Sequence, residues 1–401
     1  MQQELRVGLL VESTAAGVGK HVRDLATGLS AGPFEIHVLY SARRMDGAFA
    51  EWIKALGGSG RIRAVEIGMR RSPAVSDWQA IRRVRRYLGA EGPFDILHCH
   101  STKAALVGRL ACAGSETRAI VTPHAPITLN PATNWVIRSS VATAERFLSR
   151  LTRAYVAVSA EEKTHLEGLG IPSRKIHLIP NGTSLPVLSS LSERRRTWRE
   201  RLNIPERAIC IGFVGRFVKQ KRVDRLLYSF RNVAGRLPDA TELQLALVGA
   251  GPLECDLRRL AITLGISSRV VWAGERDGAS VMPAFDLFAL SSDYEGFPYV
   301  LLEAIAAGVP FASTDIGGAR ALVYPKPAGI VVPDADGLEE ALHTLVTSET
   351  TRASLGLQAR INSQRFALAA MIARTIHLYE EVSDNERSGA GRIPAQAGPM
   401  V

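Results

Sequence analysis

Along its 401 residues the chain alternates short apolar runs with longer amphipathic stretches. Strand-like runs fall at 5–11, 35–40, 62–67, 95–98, 118–122 and 154–158, each followed by residues with helical periodicity. Near-continuous apolar strands alternating with helices argue for a parallel sheet covered on both faces. The same grammar restarts in the second half, with runs at 208–214, 243–248, 270–274 and 286–290. The pattern predicts an α/β protein of two Rossmann-like domains, 1–183 and 184–365. A terminal helix is expected over 366–382, then a Gly/Pro-rich tail, 383–401, expected to be disordered. Residues 184–201, rich in Ser and Arg, read as linker and opening helix.

Two amphipathic segments carry unusual charge. Residues 76–88 predict a helix with Ser76 or Asp77 as N-cap and an apolar stripe of Trp78, Ile81, Val84 and Leu88. Arg82, Arg83, Arg85 and Arg86 occupy its other side, with Arg70 and Arg71 nearby. That face reads either as ordinary solvated charge or as a membrane-surface patch. Residues 130–152 read as a loop plus amphipathic helix. Trp135, Val136, Ile137, Phe147, Leu148 and Leu151 stand there among Arg138, Arg146, Arg150 and Arg153, to touch lipid or to pack.

Composition, 46% hydrophobic and 22% charged, is that of a globular chain with room for two cores. No apolar run approaches the ~18–20 residues that cross a bilayer. A strand starting at Leu5 leaves no signal peptide to expect. Cys99, Cys112, Cys210 and Cys255 lack metal-ligand spacing and suit a reducing cytoplasm. The net charge of +10 is uneven: residues 1–183 hold 24 Lys/Arg against 15 Asp/Glu, the remainder 25 against 24. A basic first half implies an anionic partner such as lipid or a diphosphate-bearing acceptor. Nucleic acid is not expected, since no zinc-finger, helix-turn-helix or aromatic RNA-binding signature accompanies the charge.

Candidate chemistry gathers at the ends of strands. In S-S-D-Y-E-G-F-P-Y-V-L-L-E-A-I-A-A-G-V-P, residues 291–310, Gly296 and Pro298 force a turn, and Val300 to Ala307 is helix-forming. Glu295 is then in the loop and Glu303 about two turns into the helix. Amides near Phe297 and Tyr299 at the helix start favour an anion. Two carboxylates beside an anion site suit hydroxyl groups attached to that anion. Between residues 12 and 22 a strand, Gly turn and helix repeat the phosphate-approach arrangement. Thr14 and His21 exclude a P-loop there, and Val22 excludes a dinucleotide fingerprint. Arg216 and Lys221 flank another post-strand loop, where two cations can grip a diphosphate. His98 and His100 share a strand face, but no third ligand is evident, so no metal is expected.

The 291–310 stretch resembles the Glu-x7-Glu signature of the large retaining glycosyltransferase family 4, whose fold is GT-B. Further matches are Thr122-Pro123-His124-Ala125, Ile179-Pro180-Asn181-Gly182, Gly215-Arg216-Phe217 with Lys221, and Gly249-Ala250-Gly251-Pro252. Ala16-Gly17 with His21-Val22 is similar to the family's G-G-x-x-x-H-V. Ala16 and Phe217 depart from the pattern. The resemblance covers most of residues 5–382 and implies an acceptor domain and a nucleotide-sugar domain around a cleft. It places Glu295 and His124 on the donor sugar, Glu303 on the ribose, and Gly17, Arg216 and Lys221 at the diphosphate. Phe297, Pro298 and Tyr299 complete the donor site.

The resemblance further implies a hexosyltransferase using UDP or GDP sugars without a metal cofactor. Retention is the family's outcome. With no convincing carboxylate for a double displacement, front-face attack is favoured, the leaving diphosphate helping to deprotonate the acceptor. The expected acceptor is a polyprenyl-linked or other lipid-linked glycan of bacterial surface-polysaccharide assembly (O-antigen, capsule or exopolysaccharide). The expected place is the cytoplasm, peripherally at the inner face of the plasma membrane. A nucleotide-sugar 2-epimerase of the same fold, a transferase with a soluble acceptor, and a non-enzymatic nucleotide-sugar binding subunit stay open as alternatives.

Overall fold

The computed structural model describes residues 4–57, 60–70, 75–238 and 240–387. Seven strands form the first sheet: β1 Leu5–Val11, β2 Phe34–Tyr40, β3 Ile62–Glu66, β4 Ile96–His100, β5 Arg118–Thr122, β6 Ala154–Ala157 and β7 Ile176–Leu178. They run in parallel in the order β3-β2-β1-β4-β5-β6-β7. Six more form the second: β8 Ile209–Val214, β9 Leu243–Val248, β10 Val270–Gly274, β11 Leu287–Leu290, β12 Phe311–Thr314 and β13 Gly329–Val332. Their order is β10-β9-β8-β11-β12-β13, again parallel. Every residue of β4 and β11 is buried, as strands covered on both faces require.

Strand order reverses between β1 and β4 in one sheet and between β8 and β11 in the other. Right-handed crossovers send the helices to opposite faces on either side of such a point, so the loops diverge and leave a crevice. Both crevices meet across the domain interface. Asn181 Nδ2 donates to the Phe297 carbonyl at 2.9 Å, and the Gly318 amide donates to Glu161 Oε2 at 3.0 Å. Gly296 packs so closely that a Cβ there would lie 2.9 Å from the Ala125 nitrogen.

The helix Leu368–Arg387 crosses back from the second domain. Its Met371, Leu378, Tyr379 and Val382 join the core on one face of the first sheet, beside the Ala16–Leu29 helix. At the crossing, the Thr183 amide donates to the Phe366 carbonyl at 2.9 Å and the Leu368 amide to the Thr183 carbonyl at 2.9 Å. The helix continues past Val382, where a tail was expected, because buried Ser383 extends its packed face. Residues 388–401 of that expected tail lie outside the described residues.

On the other face sit the helices Ser76–Ala90, Thr102–Cys112 and Trp135–Leu148. The first departs from its expected stripe: Ala80, Ile81, Val84 and Leu88 are buried, while Trp78 turns outward under Arg82. Neither expected residue caps it. Val75 precedes the helix without a side-chain cap, and Asp77 is drawn to Lys103 instead. Of the neighbouring pair, Arg70 is exposed and Arg71 lies outside the described residues.

Candidate active site

β11 ends in a loop and then the helix Tyr299–Ala307, which Gly308 closes in the left-handed conformation at φ 74°. Glu295 leaves that loop toward Lys221, whose Nζ is 2.6 Å from its Oε1. A lattice of bonds holds the two loops together. Ser291 Oγ bonds the carbonyls of Lys221 and Arg222, the Asp293 amide donates to the Gln220 carbonyl, and Gln220 Nε2 donates to the Tyr294 carbonyl. Arg216 sits at the same loop, exposed and without an ion pair among the described residues. The Gly249-to-Pro252 turn buttresses it from behind: a Cβ at Gly249 would lie 2.0 Å from the Gly215 carbonyl oxygen. That turn's glycines therefore serve backbone packing.

Glu303 is 7% exposed, with Gly278 against its carboxylate. Burial pushes its carboxyl up to about 7; Lys20 pulls it down, while Asp277 and Asp24 push it further up. So a buried acid titrating near neutrality stands about one turn into the helix Tyr299–Ala307, not the two turns expected, because the helix starts only after Pro298. The loop before it carries a half-buried carboxylate already paired with a cation.

Opposite lies the first domain. Gly17 faces Tyr299, and a Cβ there would come 3.3 Å from Tyr299 Cδ2. Ala16, where the family has glycine, takes φ 57°. The glycine this turn cannot replace is Gly19, where a Cβ would lie 1.8 Å from the Thr14 carbonyl oxygen. After β5, His124 and Ala125 are both left-handed, at φ 53° and 63°. Glu162 braces them from the helix Ala160–Gly168. Its Oε1 accepts from the Ala125 amide at 2.9 Å and its Oε2 from the Val158 amide at 2.8 Å. Burial pushes this carboxyl up to about 7, and the two amides hold it back in part.

His124 packs into a group of four histidines. Its ring stacks on His100 at 5.4 Å and meets His21 edge-on at 4.6 Å. His21 Nδ1 lies 3.1 Å from Asn181 Oδ1 and 2.9 Å from the Tyr299 hydroxyl. His98 bonds the Tyr379 hydroxyl and Thr122 Oγ1, both at 2.7 Å. Burial lowers all four, His21 to about 4 and His98 to about 3, so each ring is neutral at pH 7. The sequence shows no third ligand near His98 and His100. In the fold, nitrogens of His21, His100 and His124 gather within 4.8 Å of one another, because three separate elements end at one crevice.

The comparisons with known proteins agree with this geometry. Residues 15–185 match the Glycosyltransferase Family 4 model and residues 194–361 the Glycosyl transferases group 1 model. The chain belongs to the family 4, group 1 glycosyltransferases. This glycosyltransferase is 27% identical over 337 residues to the phosphatidyl-myo-inositol mannosyltransferase of Mycolicibacterium smegmatis, covering 80% of each chain. It is 32% identical over 254 residues to a D-inositol 3-phosphate glycosyltransferase of Corynebacterium jeikeium, covering 59% of this chain and 60% of that one. The crystal structure of Anabaena Alr3699/HepE in complex with UDP and glucose superposes with a TM-score of 0.78 at 19% identity. It covers 94% of this chain and 100% of that one, and shows the shared two-domain GT-B fold.

The glycosyltransferase thus brings Gly17, His124, Phe297 and Tyr299 to the domain interface, with Pro298 at the start of the Tyr299–Ala307 helix. Glu295, Lys221, Arg216 and Glu303 stand on the second-domain wall. An open pocket beside Glu295 is lined from both domains, by Glu161 and Glu162 and by Tyr294, Ile316 and Gly317. Sequence reasoning missed His21, Asn181 and Glu162. The first two stood inside recognised motifs. Glu162 follows Ser159 at capping-box spacing, but reaches Val158 and Ala125 in place of its own cap residue.

Proposed function

We propose that the enzyme moves a hexosyl group from UDP- or GDP-sugar to a hydroxyl of a lipid-linked acceptor, with retention of anomeric configuration. The observation that carries this is the Lys221–Glu295 pair, 2.6 Å apart and mostly shielded from solvent. A nucleotide sugar offers each partner a better one. Its diphosphate draws Lys221 and the unpaired Arg216, and its sugar hydroxyls satisfy Glu295. Cations aimed at the departing diphosphate stabilise charge that grows as the C1–O bond breaks. Arg216, Lys221 and the amides at the start of the Tyr299–Ala307 helix fill the place a metal ion takes in other transferases.

Glu303 holds the ribose and Gly17 admits the diphosphate. His124 lines the sugar on the acceptor side. The acceptor oxygen attacks C1 on the face the diphosphate leaves, and a diphosphate oxygen takes the acceptor's proton. A lipid-bearing acceptor is supported by the relatives named for phosphatidylinositol substrates and by the basic first domain. Assembly of a surface glycan on a polyprenyl or similar carrier, at the cytoplasmic face of the membrane, fits the same chemistry.

The test is a screen of nucleotide sugars by thermal shift, followed by transfer to lipid-linked acceptors and proton NMR of the product. A stabilising UDP or GDP sugar whose anomeric configuration survives transfer is expected. Inverted product, or epimerised sugar formed without any acceptor, would overturn the reading.

A further inference from the structure

At the domain interface three imidazoles converge: His21 from the Ala16–Leu29 helix, His100 from the end of β4, and His124 from the loop after β5. His100 Nδ1 and His124 Nε2 are 3.2 Å apart. That is close to the ~3.3 Å edge of a tetrahedron built on Zn–N bonds of about 2.0–2.1 Å. The nitrogens of all three fall within 4.8 Å of one another. His100 Nε2 is buried without a hydrogen-bond partner. The hydrogen-bond partners of these rings, among the described residues, are Asn181, Tyr299 and one another.

The surroundings orient one of them, His21, as an outer shell orients a ligand. Asn181 Oδ1 accepts from His21 Nδ1, which places the hydrogen there and leaves Nε2 with the lone pair. Neutral imidazole is the form that binds metal. His98 differs, since Tyr379 and Thr122 occupy both its nitrogens. Three neutral imidazoles and no carboxylate favour zinc and its neighbours over magnesium or calcium, which require oxygen ligands.

We propose that His21, His100 and His124 bind one divalent transition-metal ion, Zn2+ foremost, and that the bound ion inhibits transfer. On binding, the ion takes the place of the hydrogen shared by His100 and His124. That hydrogen moves to the other nitrogen of the same ring, so both rings stay neutral. The inhibitory half rests on the proposed role of His124, whose nitrogen the ion would withdraw from the donor sugar; the binding half does not.

Equilibrium dialysis of the full chain against Zn2+ tests the site. One ion per chain is expected in the wild type and none in His100→Ala. Asn181→Ala, which removes the outer partner of His21 together with the bond to the Phe297 carbonyl, should weaken uptake roughly 10–100-fold, and Mg2+ should not be taken up. Equal Zn2+ uptake by wild type and His100→Ala, or none by either, would overturn the site and leave the donor-site reading standing. Should His100→Ala fail to fold, the wild type decides alone: Co2+ should give visible absorption bands that Zn2+ abolishes, and no bands would refute the site. Zn2+ should suppress transfer until a chelator restores it. Stoichiometric Zn2+ with undiminished transfer would remove the inhibition and, with it, the role of His124 at the sugar.

Discussion

Arg216 and Lys221 stand on one loop in different states, and the difference separates chemistry from folding. Arg216 is exposed and unpaired, so Arg216→Ala should leave the melting temperature nearly unchanged while kcat falls ~10²–10³-fold, as when one transition-state donor is removed. Lys221→Ala should cost as much in kcat and also some stability, because Glu295 loses its cation. Near-normal kcat/KM in both variants would detach them from the diphosphate.

Glu303 supplies a pH signature. Its folded carboxyl titrates at about 7, so between the ordinary carboxyl range and neutrality the folded chain holds a proton that the unfolded chain releases. Stability from this group therefore falls as pH rises through that window and is level above it. Glu303→Gln should gain stability over wild type at pH 8 but not at pH 5. At about 1.36 kcal/mol per unit the gain is on the order of 3 kcal/mol. Hydroxyls of a bound ribose favour the ionised form, so nucleoside diphosphate binding at pH 7 should release more protons in wild type than in Glu303→Gln. Calorimetry in two buffers of different ionisation heat reads this, and identical proton release in both proteins would sever Glu303 from the ribose. Glu303 and Lys221 were legible in the sequence because motif spacing carries them. The histidine group was not, since its members meet only through the strand order β1-β4-β5.

The elements themselves were legible to within a few residues wherever burial on both faces dictates an unbroken apolar run, as in β8 and β11. Legibility failed where one side chain can choose between partners. Trp78 fits a helical stripe by spacing, yet Arg82 offers its ring an outward stacking partner. Glu162 is the functional counterpart of that ambiguity, a helix-start carboxylate that leaves its own cap to hold the left-handed His124–Ala125 turn. Glu162→Gln sets an amide NH2 against a backbone N–H. It should lower kcat while sparing nucleoside diphosphate affinity, because the residues proposed to hold the nucleotide, Gly17 apart, are on the other domain. Equal losses in both would mean general damage, and His124 would then owe its position to something else.

The turn after β1 yields a sharper contrast. Gly19→Ala drives a Cβ into the Thr14 carbonyl and should destabilise by well over the ~1 kcal/mol of an average substitution. Gly17→Ala meets only the edge of Tyr299, so it should fold normally and weaken donor binding. A Gly17→Ala protein with intact donor affinity would return that loop to a purely structural role.

At the scale of the whole molecule the question is where a basic first domain, +9 over residues 1–183, meets its acceptor. Among the described residues no helix is long and apolar enough to cross a membrane. The helix Trp135–Leu148 buries none of its residues, leaving Trp135 75% and Phe147 65% exposed among Arg138, Arg146 and Arg150. What anchors it is polar: Glu145 grips buried Arg109 at 2.6 and 2.9 Å and accepts from the Tyr155 hydroxyl at 2.8 Å. The second basic face is partly committed, since Arg85 caps carbonyls at the end of the Thr102–Cys112 helix. Of the four arginines on that helix, Arg82, Arg83 and Arg86 remain for lipid.

Both helices flank Thr102–Cys112 and so share one face of the sheet. Roughly 1 kcal/mol per arginine near an anionic surface gives that triplet about 3 kcal/mol. Two aromatic side chains, at about 1.5–3 kcal/mol each when buried, match or exceed it. The expectation is attachment to phosphatidylglycerol vesicles that fades with salt. It should fall when Arg82, Arg83 and Arg86 become Gln, and fall at least as far when Trp135 and Phe147 become Glu. Co-sedimentation measures it. Attachment indifferent to lipid charge, or unchanged in the Trp135/Phe147 variant, would move the acceptor away from this face and leave the outward aromatics of that helix without a role.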